Sequence, residues 1–415
     1  MCGNILKRIL GYFVILNVLI IFLHASDFKI KSLRTYSSLA EGSIPILLYK
    51  ELSHNDLIIE FDLEADVQPN LVIEFRFCDR YWKPYQSYFF RNEGYNNSFN
   101  LWFDVLSAAI NGANYHYKGS FPSNEVTFPF SGKWIYYITD RETGTVHGYG
   151  KFFVVKPELG IIGNITKDRL DDSNFESSIF ERTNRLSVEF NLSDGLYPDQ
   201  VEFVEVVENL MIDYPYQIEK REYNNYRYYE WDGTRKFKFV ARDIFPGNEY
   251  RSTDFRDARR FLPPGFNAQR DGTEISRTYK YGGHDLNGRS LLTNFKDNDS
   301  EYLNVHFSIL PSVKINNSIY LTGSFNDWKV LPQYQLTKSG DYYEIDMELK
   351  RGRYDYLYVT GNTNSNYVEN INWNTLEGNF WETKNDYHVF LYYNATEYGG
   401  YDKIIGYVKL SSGVK

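Results

Sequence analysis

Cysteine is nearly absent from this chain, with Cys2 and Cys78 the only two in 415 residues. Cys2 precedes the apolar run Ile9–Leu23, so a product cut behind that run keeps Cys78 alone and has no intramolecular disulfide. A chain of this length can build cores large enough to dispense with one. The seven histidines (His24, His54, His116, His147, His284, His306, His388) are scattered, and no pair has zinc-ligand spacing, so neither metal nor cofactor is expected. No G-x-S-x-G elbow occurs, and the Gly-x-Gly at Gly148–Gly150 lacks both a third glycine and a following helix. Carboxylate pairs such as Asp62 with Glu64 or Asp171 with Asp172 read as solvated surface rather than as a glycosidase dyad. No catalytic residue is therefore assigned. A net charge of −9 excludes nucleic acid as a partner. Apart from Ile9–Leu23 there is no long apolar run, and a mean hydropathy of −0.48 excludes a polytopic membrane protein.

What the chain has in excess is aromatics, 18% of its residues, which favour the pleated surface of a sheet. Lys7 and Arg8, the run Ile9–Leu23 and the small residues Ala25 and Ser26 read as an export signal over residues 1–25, cleaved to leave no lipid anchor. The run is short of the roughly 20 residues a membrane span needs, and an uncleaved anchor is the alternative. Strand-period alternation recurs in Leu57, Ile59, Phe61, Leu63, then in Leu71, Ile73, Phe75, Phe77, and later in Leu186, Val188, Phe190, Leu192. It returns in Val305, Phe307, Ile309, in Tyr343, Ile345, Met347, Leu349, and in Tyr354, Tyr356, Tyr358. Helical spacing is confined to Leu101, Val105, Leu106 and Ala109, predicting a short helix or turn. The tyrosine-rich span Tyr214–Tyr229 reads as an edge hairpin, with an exposed loop as the alternative. The fold class is all-β, with consecutive β-sandwich domains of immunoglobulin-like or early-set character over 26–156, 157–310 and 311–415.

Local clusters stand above this background. Cys78, Asp79 and Trp82 form a Cys-Asp-x-x-Trp segment, followed by Tyr115-His116-Tyr117 and Phe121-Pro122-Ser123-Asn124. Gly247-Asn248-Glu249-Tyr250-Arg251 comes next, then Asp285, Asn287 and Gly288, then Gly323, Phe325 and Trp328. Glu377, Gly378, Glu382, Thr383, Asn385 and Tyr387 close the series. In this order the clusters resemble the plug proteins of the type IX secretion system, long known as a domain of unknown function in Bacteroidota. Phe77, where a histidine is expected, and the inserted Ser123 are departures.

The resemblance implies a non-enzymatic periplasmic protein, peripheral to the outer membrane, that reversibly closes the outer-membrane translocon barrel of that system. The motif residues are then structural. The alternative comes from the last unit, whose Gly323–Trp328 segment looks like a glycogen-binding module, with Trp328, Trp373 and Trp381 stacking on sugar rings. Cleavage of the export signal is expected to leave a protein beginning at Ser26 or Asp27, which mass spectrometry of the exported product checks.

Overall fold

The alternating rows become strands, and the computed structural model assembles them into six sheets. It describes residues 28–50, 53–91, 97–170, 181–222, 224–269 and 272–413, so the export signal and Asp171–Asp172 lie outside the described residues. The fold is all-β: among the described residues the α-helix is the single turn Tyr88–Arg91. No helix of the described residues is long and apolar enough to cross a membrane.

The first sandwich packs a four-stranded sheet (Lys29–Ser37, Leu57–Glu64, Tyr115–Phe121, Asp104–Val105) on a six-stranded one. In the six-stranded sheet, Ile46–Lys50, Val146–Val155, Gly132–Asp140 and Leu71–Cys78 lie side by side. Leu57, Ile59, Phe61 and Leu63 form one wall of its core, and Phe75, Phe77, Trp134, Tyr136 and Phe152 contribute to the rest. Of the short helix or turn expected over Leu101–Ala109, the structure has the turn, at 108–109. The apolar residues of this segment serve a strand pairing at Asp104–Val105 followed by turns, with Leu101, Leu106 and Ile110 buried and Val105 exposed.

The second sandwich pairs Ile162–Arg169, Arg182–Asn191, Lys236–Ile244 and Arg227–Trp231 in one sheet. Its other sheet joins Tyr216–Glu219 and Val201–Glu208 to the late strands Asp386–Ala395 and Tyr401–Ser411. Two expectations are corrected here. Tyr214–Tyr229 is not a hairpin, because Tyr216–Glu219 pairs with Val201–Glu208 while Arg227–Trp231 pairs with Lys236–Ile244 in the opposite sheet. Nor do residues 311–415 form one unit: the last two strands complete the second sandwich, and Tyr302–Leu310 belongs with Tyr342–Lys350 of the third. The third sandwich is therefore an insertion. It is organised on the long strand Gly352–Asn364, which Arg251–Asp254, Ser290–Leu292, Ser318–Gly323 and Tyr367–Asn372 flank. A strand's alternation specifies a buried face and leaves its partner open, so period alone could not reveal the insertion.

The first two sandwiches also pack on each other. Phe152 and Val154 point into the first core, while Phe153 and Val155 point outward and meet Phe203, Phe390 and Ile404 of the second. Phe153 and Phe390 stack at 4.4 Å. Inside this apolar contact Lys133 donates to Glu205 at 2.8 Å, with side chains 1% and 0% exposed. Gln217 and the Tyr392 hydroxyl donate to the same carboxylate, at 3.0 and 3.3 Å. Replacing Lys133 by Met strands that carboxylate away from water, and urea unfolding should show a loss of about 3–5 kcal/mol.

Candidate functional site: the junctions between sandwiches

The sequence clusters gather where sandwiches meet. At the end of strand Leu71–Cys78, the Asp79 carboxylate accepts the amides of Tyr81 and Lys83, both at 2.9 Å, and so closes a tight turn. That turn holds Trp82 in the left-handed region at φ 64°, which a bulky residue adopts only when its surroundings compel it. Here they do: the indole meets Phe153 edge-on at 5.1 Å and takes the ammonium groups of Lys133 and Lys151 over its ring at 4.8 and 5.1 Å. Arg80, in the same turn, lies over the Phe203 ring of the second sandwich at 3.6 Å and pairs with Glu202 and Glu219. Its backbone amide donates to Asp402 at 2.8 Å. Cys78 is buried, and burial, then the Asp79 charge, push its thiol up to about 12, well away from thiolate chemistry. The Cys-Asp-x-x-Trp segment is thus a staple between first and second sandwiches.

The remaining clusters converge at the base of the insertion. Arg251 donates through Nε to both oxygens of Glu377 at 2.9 Å and through Nη1 to Glu274 at 2.8 Å. Glu274 accepts the Tyr356 and Tyr358 hydroxyls as well. Asn248 bridges the Glu377 and Tyr279 carbonyls, and Thr383 donates to the Gly247 carbonyl at 2.9 Å. Asn385 accepts from Asn209 at 2.9 Å, donates to the Pro246 carbonyl at 2.7 Å and lies 3.4 Å from the Tyr387 hydroxyl. Asp285 accepts the Tyr250 and Asn287 amides at 2.6 and 3.0 Å. Gly378 sits at φ 78°, where an added Cβ would meet the Arg277 carbonyl at 2.8 Å. At Gly323 a Cβ would strike the Asp355 carbonyl at 2.6 Å, and neighbouring Phe325 packs towards Phe307 at 6.1 Å. Glu382 is exposed and stands apart from the network.

A third junction joins the first sandwich to the insertion. Asp62 is 1% exposed, not solvated as expected, because the insertion covers its face. It accepts from His116 at 2.6 Å, Lys350 at 2.6 Å and the Tyr302 hydroxyl at 2.9 Å. These partners hold its carboxyl below the usual carboxylate range against the opposing effect of burial. Phe295 of the insertion stacks on His116 at 3.8 Å.

The tryptophans of the glycan-binding alternative are not gathered. Trp328 is 1% exposed and its indole N–H donates to the Gly288 carbonyl at 2.8 Å, so its face is not offered to a sugar. Trp373 packs against Tyr214, and Trp381 donates to the Thr183 carbonyl under Arg169 and Arg182. Among the described residues no three His, Cys, Asp or Glu side chains stand close enough to hold a metal ion.

Several junction residues carried no cluster in the sequence. Glu205 had a signal: it stands in phase with Val201, Phe203 and Val207, and an acid in an apolar row calls for a buried partner. Asp62 and Lys350 had none. Asp355 is fully buried and accepts the Leu286 and Gly288 amides through Oδ2 at 2.6 and 3.0 Å. Burial and the charge of Asp285 push its carboxyl up to about 7. Glu249 is raised as well, by burial and then Asp285.

Comparison with known proteins follows the same division of the chain. Residues 30–156, the first sandwich, match the family described as type 9 secretion system plug protein 1st domain. No curated relative matches the chain. A crystal structure of a hypothetical protein from Parabacteroides merdae superposes with a TM-score of 0.73 at 20% identity, covering 93% of this chain and 99% of that one. This is a likeness of fold.

Asp355 generates a pH prediction. Between about 4, its ordinary value, and about 7, the folded protein keeps a proton that the unfolded chain has released. Stability from this group therefore falls as pH rises through that window and is level above it. Asp355→Asn retains an acceptor for the two amides and cannot ionise, so thermal melts from pH 5 to 8 should show a flatter slope and a gain of about 1–3 kcal/mol at pH 8.

Proposed function

We propose that this chain, which carries the first domain of the type IX secretion system plug family, is a non-enzymatic plug that reversibly closes the outer-membrane translocon of that system. The observation that carries the reading is the family match over residues 30–156. Its place is the periplasm, peripheral to the outer membrane, reached through a cleaved export signal.

Physical features support it. An occluding body must hold its shape without lipid contact, and the three sandwiches are fastened by an apolar face and by buried ion pairs at each junction. The charged groups of the motif network are engaged with one another and with backbone amides, which is the chemistry of a fastener. On the surface, Tyr88, Phe89 and Tyr398 are exposed and adjacent, with ring centroids 6.2 and 5.6 Å apart in turn. Such aromatics contribute contact area at low rotamer cost and keep hydroxyls for a wet rim.

Purification of a tagged copy from its own host is the test. An outer-membrane barrel of very high mass should co-elute, and deletion of the gene should leave the outer membrane leakier to large solutes. Retention on amylose resin without any co-eluting barrel would replace this reading by the glycan-binding one.

A further inference from the structure

Strand Val201–Glu208 ends on a residue that breaks its own pattern. Val204 and Val206 point into the core of the second sandwich, and Glu208 is next in that row. A carboxylate there lies where the open end of the sandwich meets the insertion. Among the described residues it has neither an ion pair nor a hydrogen bond, in contrast to the charges of the three junctions, which are multiply engaged. Its charge, after burial, raises the hydroxyls of Tyr216, Tyr250 and Tyr387 above their ordinary range. Among the described residues no lysine or arginine lines the cavity that Glu208 faces. Loss of hydration pushes the Glu208 carboxyl up to about 8.

Glu208 lines a cavity of about 100 Å³, several times the ~10–15 Å³ that one water requires. Tyr214, Tyr216, Tyr250 and Trp373 line the same cavity. Trp373 and Tyr214 meet edge to face at 5.1 Å and 70°, forming a corner of two differently oriented ring surfaces. Tyr214 is anchored by accepting the Val330 amide at 2.9 Å, and Tyr250 by accepting from Asn209 at 2.7 Å. Both rings are therefore held in place before any ligand arrives. Tyr214 and Trp373 are only half-buried, which leaves the cavity a way in from solvent.

We propose that this cavity binds an alkylammonium head group, with Glu208 as counter-ion and Tyr214, Tyr216, Tyr250 and Trp373 as aromatic walls. A cation answers both features at once. It supplies the carboxylate with the charge partner it lacks, and its diffuse positive charge is attracted by the negative faces of the rings. A neutral sugar or an anion would leave Glu208 unpaired. The head group can arrive on a free amine or on a lysine side chain of a peptide, and the chemistry at the cage is the same. The inference is independent of the plug reading.

Calorimetric titration of the purified full chain at pH 9, where Glu208 is ionised, tests it. The probes are tetramethylammonium and n-butylammonium chloride, with sodium chloride at matched ionic strength as the control. Saturable binding of either ammonium ion is expected, weakened at least tenfold in Glu208→Gln and several-fold in Trp373→Leu. Competition by a Gly-Lys-Gly peptide, absent with Gly-Leu-Gly, would assign the source to a lysine side chain. Its failure beside binding of the free ions would assign a small amine. Glu208→Gln is isosteric and should melt no lower than the parent. As a second readout, carbon-13 NMR of the Glu208 carboxyl should show its titration midpoint fall when tetramethylammonium is added. No saturable binding, equal binding by Glu208→Gln, or an unmoved midpoint would overturn the proposal.

Discussion

The pairing of Val201–Glu208 with Asp386–Ala395 is the constraint on which the rest of the structure depends. It closes a long excursion of chain, and the entropic cost of closure grows only slowly with the length enclosed. A whole sandwich can therefore be inserted between two strands that are neighbours in one sheet. The same closure brings Glu377, Thr383 and Asn385, from the returning chain, against Pro246–Arg251, from the departing chain. Both ends of the insertion are tied together at its root.

Buried charge decides how the sandwiches sit on one another. Apolar faces such as Phe153 on Phe390 supply the attraction, which is not directional. An ion pair such as Lys133 with Glu205, or Asp62 with Lys350, is strongly directional, because a shifted docking would leave each charge unpaired in a dry contact. These pairs therefore act chiefly as registration devices. The Asp79 turn serves the same end from the backbone side, since a left-handed Trp82 is tolerated only where Phe153, Lys133 and Lys151 receive its ring.

The carboxylates of the molecule divide by environment. Asp62 and Glu60 are surrounded by Arg34, His116, Lys118 and Lys350, and their ionised forms are favoured. Glu249, Asp285 and Asp355 face one another at the root of the insertion, and their neutral forms are favoured. The first group loses its stabilising charge in acid and the second group gains a destabilising one towards neutrality. The junctions consequently respond to pH in opposite senses.

By itself the sequence determined the all-β class, because apolar residues at every second position bury one face of a strand whatever lies beside it. It also marked the residues of the junctions: Asp79 and Trp82, Gly247–Arg251, Asp285, Gly323 and Glu377–Tyr387 stand out as glycine, aromatic and charged residues that plain strands do not need. Tertiary structure alone decided which strands are partners. The period of Asp386–Ala395 suits either sandwich, and only three-dimensional pairing sent it to the second. It alone decided, too, that Asp62 is buried, since an outward-facing residue is exposed until another domain is laid over it. Charge and periodicity are local properties of a chain, whereas burial at a junction belongs to two surfaces that are distant in sequence.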